Sequence, residues 1–355
     1  MTDRISPKIK ILHVAETIKG GVATYLESID EVIDFENKYL IPEAQEKDIS
    51  LQKNKLITFQ GYNRTTRTLC LIPKLINILK KENFDLIHLH SSFAGYVFVL
   101  CKILLRRTPT SIYCAHGWSF LREVSRFEKL ACRVFDSFVG KSVSGIIHIS
   151  KTEKKSAGFI KNKNQTVIYN PVREAYLKNV NYSSSRGKIK KVFFVGRLDH
   201  QKGFDLLYKA FSSPKLNDLH LYVAGDAVLS NASYTSRKNI TFLGWQPRDA
   251  LVSLYENMDL TIVPSRWEGF GFVAIESMSR GTPVLVNNAG SLPEIVSKHG
   301  VVRDLSSADL IIKEILSFST PHTTKAIRNY TLERFSPKQF KESLEDFYKK
   351  TLQNK

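Results

Sequence analysis

Short apolar runs rich in β-branched residues recur along this chain with longer amphipathic stretches between them, and that alternation restricts the fold more than any other feature. Strands that pair in parallel need a crossover of a dozen or more residues, usually a helix. Ile11 to Ala15, Ile57 to Phe59, Leu86 to His90, Ile112 to Ala115 and Ile146 to Ile149 read as strands, each followed by a helical stretch, and Thr166 to Tyr169 adds another before Asn170-Pro171. A polar segment follows, Arg173 to Lys190, which contains Ser183, Ser184, Ser185, Arg186 and Gly187 and reads as a linker. The pattern then restarts through Val192 to Val195, Leu219 to Val223, Ile240 to Leu243, Leu260 to Val263 and Val284 to Val286. At 355 residues the chain is also longer than one hydrophobic core usually supports. The expectation is α/β, with two Rossmann-like, doubly wound domains over 1–175 and 176–335. A C-terminal helix over 336–355 opens at Ser336-Pro337, with Gln339 placed to reach back, and is expected to pack towards the first domain. No short-period repeat is present, which excludes solenoids.

Charge narrows the partners. Lys and Arg number 52 against 34 Asp and Glu, a net charge of +18 that favours phosphates, acidic lipid or other polyanions. Residues 51–80 hold Lys53, Lys55, Arg64, Arg67, Lys74 and Lys80 without an acidic residue, which points to an anionic acceptor or an anionic membrane surface. Cys70, Cys101, Cys114 and Cys132 lie far apart without metal-ligand or disulfide-framework spacing, as in a reducing cytoplasm. Met1 to Lys10 is polar, unlike a signal peptide, and Phe93 to Leu105, interrupted by Lys102, is shorter than a membrane span and reads as core. A cytoplasmic enzyme, peripheral on the inner face of the cell membrane, is the expectation.

Two segments carry chemistry. Leu260 to Val263 runs through Pro264-Ser265-Arg266-Trp267-Glu268-Gly269-Phe270-Gly271 into a helix over Phe272 to Arg280. A glycine loop that opens a helix exposes unpaired N–H groups at the positive end of the helix dipole, where a phosphate is stabilised. Glu268 in the loop and Glu276 in the helix can reach two ends of one elongated ligand. Read alone, both glutamates are better explained as solvated surface charges, the usual fate of glutamate, and it is a second segment that changes this reading. The second segment, Val195-Gly196-Arg197-Leu198-Asp199-His200-Gln201-Lys202-Gly203, has the same strand-loop-helix form and adds two cations, suited to a diphosphate.

Glu268-Gly-Phe-Gly followed by Glu276 resembles the E-x7-E signature of the retaining glycosyltransferases of family 4, enzymes of the GT-B fold in which two Rossmann-like domains face each other across a cleft. The resemblance extends to Gly196-Arg197-Leu198 with Lys202-Gly203, Ala224-Gly225-Asp226, Phe242-Leu243-Gly244, Gly281-Thr-Pro-Val, Gly290 and Pro293-Glu294, and so covers the second half of the chain. It implies that Arg197 and Lys202 hold the donor diphosphate, Glu268 contacts the transferred sugar and Glu276 holds the ribose. Backbone at Gly271, Phe272 and Val273 would face the sugar and phosphates, and the nucleobase would lie near Gly225 and Leu243 to Trp245. In the first half, Gly20-Gly21 resembles the family's backbone contact to the diphosphate, and His116 its active-site histidine, here followed by Gly117 where many relatives carry an acidic residue.

The implied reaction transfers a hexose or N-acetylhexosamine from a nucleotide sugar, UDP-linked by preference, to a glycan acceptor carried on a polyprenyl diphosphate, in surface polysaccharide (lipopolysaccharide or capsule) biosynthesis. No cofactor and no essential metal is expected, since no acidic ligand pair stands at a strand end. His13, His88, His90 and His148 alternate with apolar residues on predicted strands and read as core or rim packing without metal-site spacing. Two rivals remain at this point: a GT-B-fold epimerase or phosphorylase, and a basic nucleic-acid-binding protein. No recognisable nucleic-acid motif supports the second, and no nucleic acid is expected as a partner.

Overall fold

The computed structural model describes residues 8–178, 180, 188–226 and 234–354. The chain divides into two compact units, one formed by the described residues up to Asn170 together with the segment from Lys338, the other by Pro171–Pro337. The second unit thus begins just ahead of the polar 173–190 stretch, and of that stretch Ser183 to Gly187 lie outside the described residues.

The first unit is built on β1 (Lys10–Val14), β2 (Glu36–Pro42), β3 (Leu56–Phe59), β4 (Leu86–His90), β5 (Thr110–Cys114), β6 (Gly145–His148) and β7 (Gln165–Val167), all parallel, in the order β3-β2-β1-β4-β5-β6-β7. Its helices are α1 (Gly21–Val32), α2 (Arg64–Lys81), α3 (Ser92–Leu104), α4 (Arg126–Ser142) and α5 (Lys151–Ser156), to which the long C-terminal α12 belongs. Every residue of β4, β5 and β6 is buried, as expected of inner parallel strands covered on both faces. The sequence reading missed β2, whose Glu36-Asn37-Lys38 start and Pro42 end hide its apolar centre, Tyr39 to Ile41. α3 is core along its first three turns, with Ala94, Val97, Phe98 and Cys101 buried, while Leu100, Ile103 and Leu104 are exposed.

The second unit holds β8 (Lys191–Val195), β9 (His220–Ala224), β10 (Ile240–Gly244), β11 (Leu260–Val263), β12 (Val284–Asn287) and β13 (Val301–Arg303), in the order β10-β9-β8-β11-β12-β13. Around the sheet run α6 (Phe204–Phe211), α7 (Arg248–Glu256), α8 (Phe272–Ser279), α9 (Leu292–Val296), α10 (Ala308–Leu316) and α11 (Thr324–Arg334), and α12 (Pro337–Gln353) follows. β13, only three half-exposed residues long, also escaped the sequence reading.

Both sheets reverse direction after their first strand, between β1 and β4 in one unit and between β8 and β11 in the other. Loops leaving the carboxyl ends of such a strand pair diverge to opposite faces and open a crevice, the usual ligand site of a doubly wound sheet. No described helix is long and apolar enough to cross a membrane, and the four cysteines are free.

Candidate active site

In the second unit the loops that leave β8 and β11 meet at the reversal point. Gly203, at φ +69°, is packed so closely that a Cβ there would stand 2.2 Å from the Pro264 carbonyl oxygen. Arg266 ties the loops further: its backbone N–H donates to Gln201 (2.8 Å), and its guanidinium donates to the His200 carbonyl and, through two 2.7 Å bonds, to the Asp205 carboxylate. Gln201 Nε2 returns a bond to the Trp267 carbonyl. Motif reading had not singled out Gln201, Asp205 or Arg266, because their role is to join two loops some 65 residues apart in sequence.

This stitching brings Lys202 to Glu268, Nζ to Oε2 at 2.7 Å, both side chains largely sheltered. The pair spans the β8/β11 reversal. Arg197 turns to Gln201 Oε1 (2.8 Å) and Asp199 Oδ2 (3.1 Å), while Asp199 also accepts the Lys202 backbone N–H (3.0 Å). Glu276, one turn into α8, accepts a 3.0 Å bond from the Tyr255 hydroxyl of α7, another contact that sequence spacing does not encode. Gly225 and Leu243 stand at the ends of β9 and β10, on the same carboxyl edge, and the close approach of the Gly225 backbone to Gly196 leaves no room for a side chain.

Among the described residues, side chains cap the N-termini of α2, α3, α4, α5, α10 and α11, whereas α1, α6 and α8 begin at Gly20, Gly203 and Gly271 with no side-chain cap. A side-chain cap would occupy the first N–H groups of a helix, so glycine leaves those groups directed outwards. Gly271 reaches φ +101°, which presents the amides of Phe272 and Val273 at the start of α8 beside Glu268.

In the first unit, Gly20-Gly21 is exposed at the head of α1, with Gly20 at φ +78° and open space where a Cβ would lie. His116 follows β5 in the left-handed region at φ +54°, uncommon for a residue with a side chain. The turn is held by Glu153, whose carboxylate accepts the N–H of Gly117 and that of Ile149, each at 2.7 Å. An acidic partner therefore does stand at the His116-Gly117 turn, supplied from α5 rather than by the next residue.

Behind His116 lies a histidine cluster that alternation along single strands does not disclose. His90 Nδ1 is 3.0 Å from His116 Nε2, and His90 Nε2 is 3.0 Å from His13 Nδ1. His13 Nε2 is 3.2 Å from Asn37 Oδ1, and His88 Nδ1 is 2.7 Å from the Tyr348 hydroxyl of α12. The core reading of His13, His88 and His90 agrees with their burial. The register of β1 beside β4 nevertheless gathers their ring nitrogens within 4.8 Å, a grouping their sequence spacing does not show. Burial lowers the pKa of His116 to about 3 and of His13 to about 4, and holds His90 and His88 well below the usual imidazole range, so all four rings are neutral at physiological pH.

Comparison with known proteins agrees with this architecture. Residues 178–331 match the family model of glycosyl transferases group 1, and residues 38–176 that of glycosyltransferase family 4. An uncharacterized 41.2 kDa protein in the cps region of Klebsiella pneumoniae is 30% identical, over 96% of this chain and 99% of that protein. A UDP-Gal:alpha-D-GlcNAc-diphosphoundecaprenol alpha-1,3-galactosyltransferase of Escherichia coli is 25% identical over 79% of each chain. A solved sucrose-phosphate synthase from Thermosynechococcus elongatus superposes with a TM-score of 0.82 at 17% identity, covering 98% of this chain and 100% of that one, a likeness of fold. The chain belongs to glycosyltransferase family 4, the glycosyl transferases group 1, and is a glycosyltransferase with two Rossmann-like α/β domains.

Proposed function

We propose that the chain transfers a hexose or N-acetylhexosamine, with retention of configuration, from a nucleotide sugar, UDP-linked by preference, to a polyprenyl-diphosphate-linked glycan in surface polysaccharide biosynthesis. The observation that carries the donor half is the Lys202–Glu268 pair at the strand reversal, beside the uncapped start of α8. When a donor enters, its diphosphate competes for Lys202 and draws that cation off Glu268, which releases the carboxylate for the sugar hydroxyls. Arg197, Lys202 and the amides of Phe272 and Val273 then stabilise the charge that grows on the departing diphosphate. The acceptor hydroxyl oxygen bonds to the anomeric carbon as the bond to the diphosphate oxygen breaks; the electron pair leaves with the nucleoside diphosphate, and the departing diphosphate oxygen takes up the hydroxyl proton. Glu276, held by Tyr255, is assigned to the ribose, Gly225 and Leu243 to the base, Gly20-Gly21 to the diphosphate and His116 to the transferred sugar. No metal is assigned to this chemistry, because two side-chain cations and a helix N-terminus supply the countercharge.

The preference for UDP and a lipid-diphosphate acceptor draws on the name of the E. coli relative, and the capsular setting on that of the Klebsiella one. Attachment to an anionic membrane surface is supported by α4. Phe127 is 87% exposed, and Leu130, Val134, Phe135 and Phe138 are more than half exposed, interleaved with Arg126, Lys129, Arg133 and Lys141. Such a helix buries its apolar side chains at the headgroup boundary while its cations meet acidic lipid. The basic stretch at 51–80 contributes less than its composition implies, because Lys55 pairs with Asp30 at 2.8 Å and Arg67 with Glu16 at 3.1 Å.

The test is thermal stabilisation and nucleotide release with UDP-, GDP- and ADP-sugars, with Glu268→Ala and Lys202→Ala as controls. Selective stabilisation lost in both controls supports the donor site and names the nucleotide. No response from folded protein to any nucleotide sugar overturns it.

A further inference from the structure

We infer that Asn37, His13 and His90 form a one-way hydrogen-bond relay that fixes His116 as the neutral tautomer protonated at Nε2, with Nδ1 as the acceptor offered to substrate. The direction follows from one end. The Asn37 amide nitrogen donates to the Ile33 carbonyl at 3.3 Å, which turns Oδ1 towards His13 and obliges His13 Nε2 to be the donor. His13 is neutral, so its Nδ1 is bare and accepts from His90 Nε2. His90 Nδ1 is then bare and accepts from His116 Nε2. Each ring has one proton to give and one lone pair to receive, so a single amide at one end sets all three tautomers. The last lone pair, His116 Nδ1, lies 3.7 Å from the Cys114 thiol, a weak donor that a sugar hydroxyl outcompetes.

Geometry holds the relay in place. His13 and His90 lie on neighbouring strands, their rings stack with centroids 5.3 Å apart, and those of His90 and His116 stack at the same spacing. Tyr25 of α1 packs edge-on against His116 at 4.5 Å. The left-handed backbone at His116 swings its ring back over β4 into this stack. His13 and His90 are thus positioning residues that act through His116, and His116 serves as a hydrogen-bond acceptor rather than a proton donor. The substrate half of this inference rests on the assignment of His116 to the transferred sugar.

The test is a long-range proton–nitrogen correlation spectrum of the full-length protein labelled with nitrogen-15 in histidine, which reads each tautomer without reference to activity. At neutral pH the expected result is that His13, His90 and His116 are each protonated at Nε2 alone. His116 protonated at Nδ1, or at both nitrogens, overturns the relay whether or not any variant folds. His90→Leu cuts both bonds, whereas His90→Gln retains an amide donor towards His13 and an oxygen acceptor towards His116. In His90→Leu the His116 signal should become a tautomer mixture, and kcat should fall about tenfold with KM for the nucleotide sugar little changed, the loss expected for one misdirected hydrogen bond. His90→Gln should restore the single tautomer and most of the rate, a rescue that a purely structural role does not give. An unchanged His116 tautomer in His90→Leu also overturns the relay. The expected tautomers together with unaltered kcat in both His90→Leu and His116→Ala would overturn the substrate half alone.

Discussion

Acidification to about pH 5.5 should cost the first unit a large part of its stability, because that unit buries neutral histidines. His13 and His148 have pKa values of about 4 and His116 of about 3, all from burial, against 6.5 for an unhindered imidazole. In the window between the folded and unfolded values the unfolded chain binds protons that the folded chain refuses, so stability is complete above about pH 6.5 and falls as the pH drops. Between about pH 7.5 and about pH 5.5 each of these three histidines contributes about 1.3 kcal/mol of loss, together about 4 kcal/mol against a typical domain stability of 5–15 kcal/mol. His88 and His90 shift in the same direction and add to the loss. The raised pKa of Asp136, again from burial, acts in the opposite sense once that carboxyl takes its proton. The assay is urea unfolding followed by the fluorescence of Trp118, a buried residue of the first unit, in a protein carrying Trp245→Phe and Trp267→Phe. A Trp118 transition whose free energy changes by less than about 1 kcal/mol over this range would refute the assignment of neutral buried imidazoles.

Other consequences are as specific. Gly225→Ala sets a methyl 1.8 Å from the Gly196 carbonyl oxygen at φ +151°, so the second unit should lose more than about 3 kcal/mol, read as a lowered unfolding midpoint. Tyr255→Phe removes the bond that orients Glu276 and should raise KM for the nucleotide sugar about fivefold with kcat nearly unchanged, as for a lost hydrogen bond of about 1 kcal/mol. Arg266→Ala removes the guanidinium ties between the two loops and leaves the Gln201 bonds, and steady-state kinetics should show kcat/KM falling about tenfold or more as Lys202 and Glu268 lose their alignment. Phe127→Ser with Leu130→Ser should reduce cosedimentation with vesicles containing acidic lipid, while transfer to a water-soluble acceptor analogue keeps its rate.

The sequence by itself determined both sheets and most of the strands that build them. A buried parallel strand needs a short unbroken apolar run, and the crossover needs a helix, so both are written locally. Leu260 to Val263 and Leu86 to His90 therefore coincide with observed strands, whereas β2 and β13, framed by polar residues or only three residues long, left no such mark. The glycine loops at Gly196–Gly203 and Glu268–Gly271 were equally legible, since a glycine-opened helix is a local arrangement. Only the tertiary structure decided what those loops meet. The Lys202–Glu268 pair exists because β8 and β11 are neighbours at the strand reversal, and Arg266 and Gln201 act between loops distant in sequence. The histidine relay depends on the register of β1 beside β4 and on the left-handed turn at His116. Alternation along a strand tells which side of the sheet a ring occupies, but hydrogen bonds between rings depend on which strands are adjacent and in what register, and long-range pairing alone fixes that.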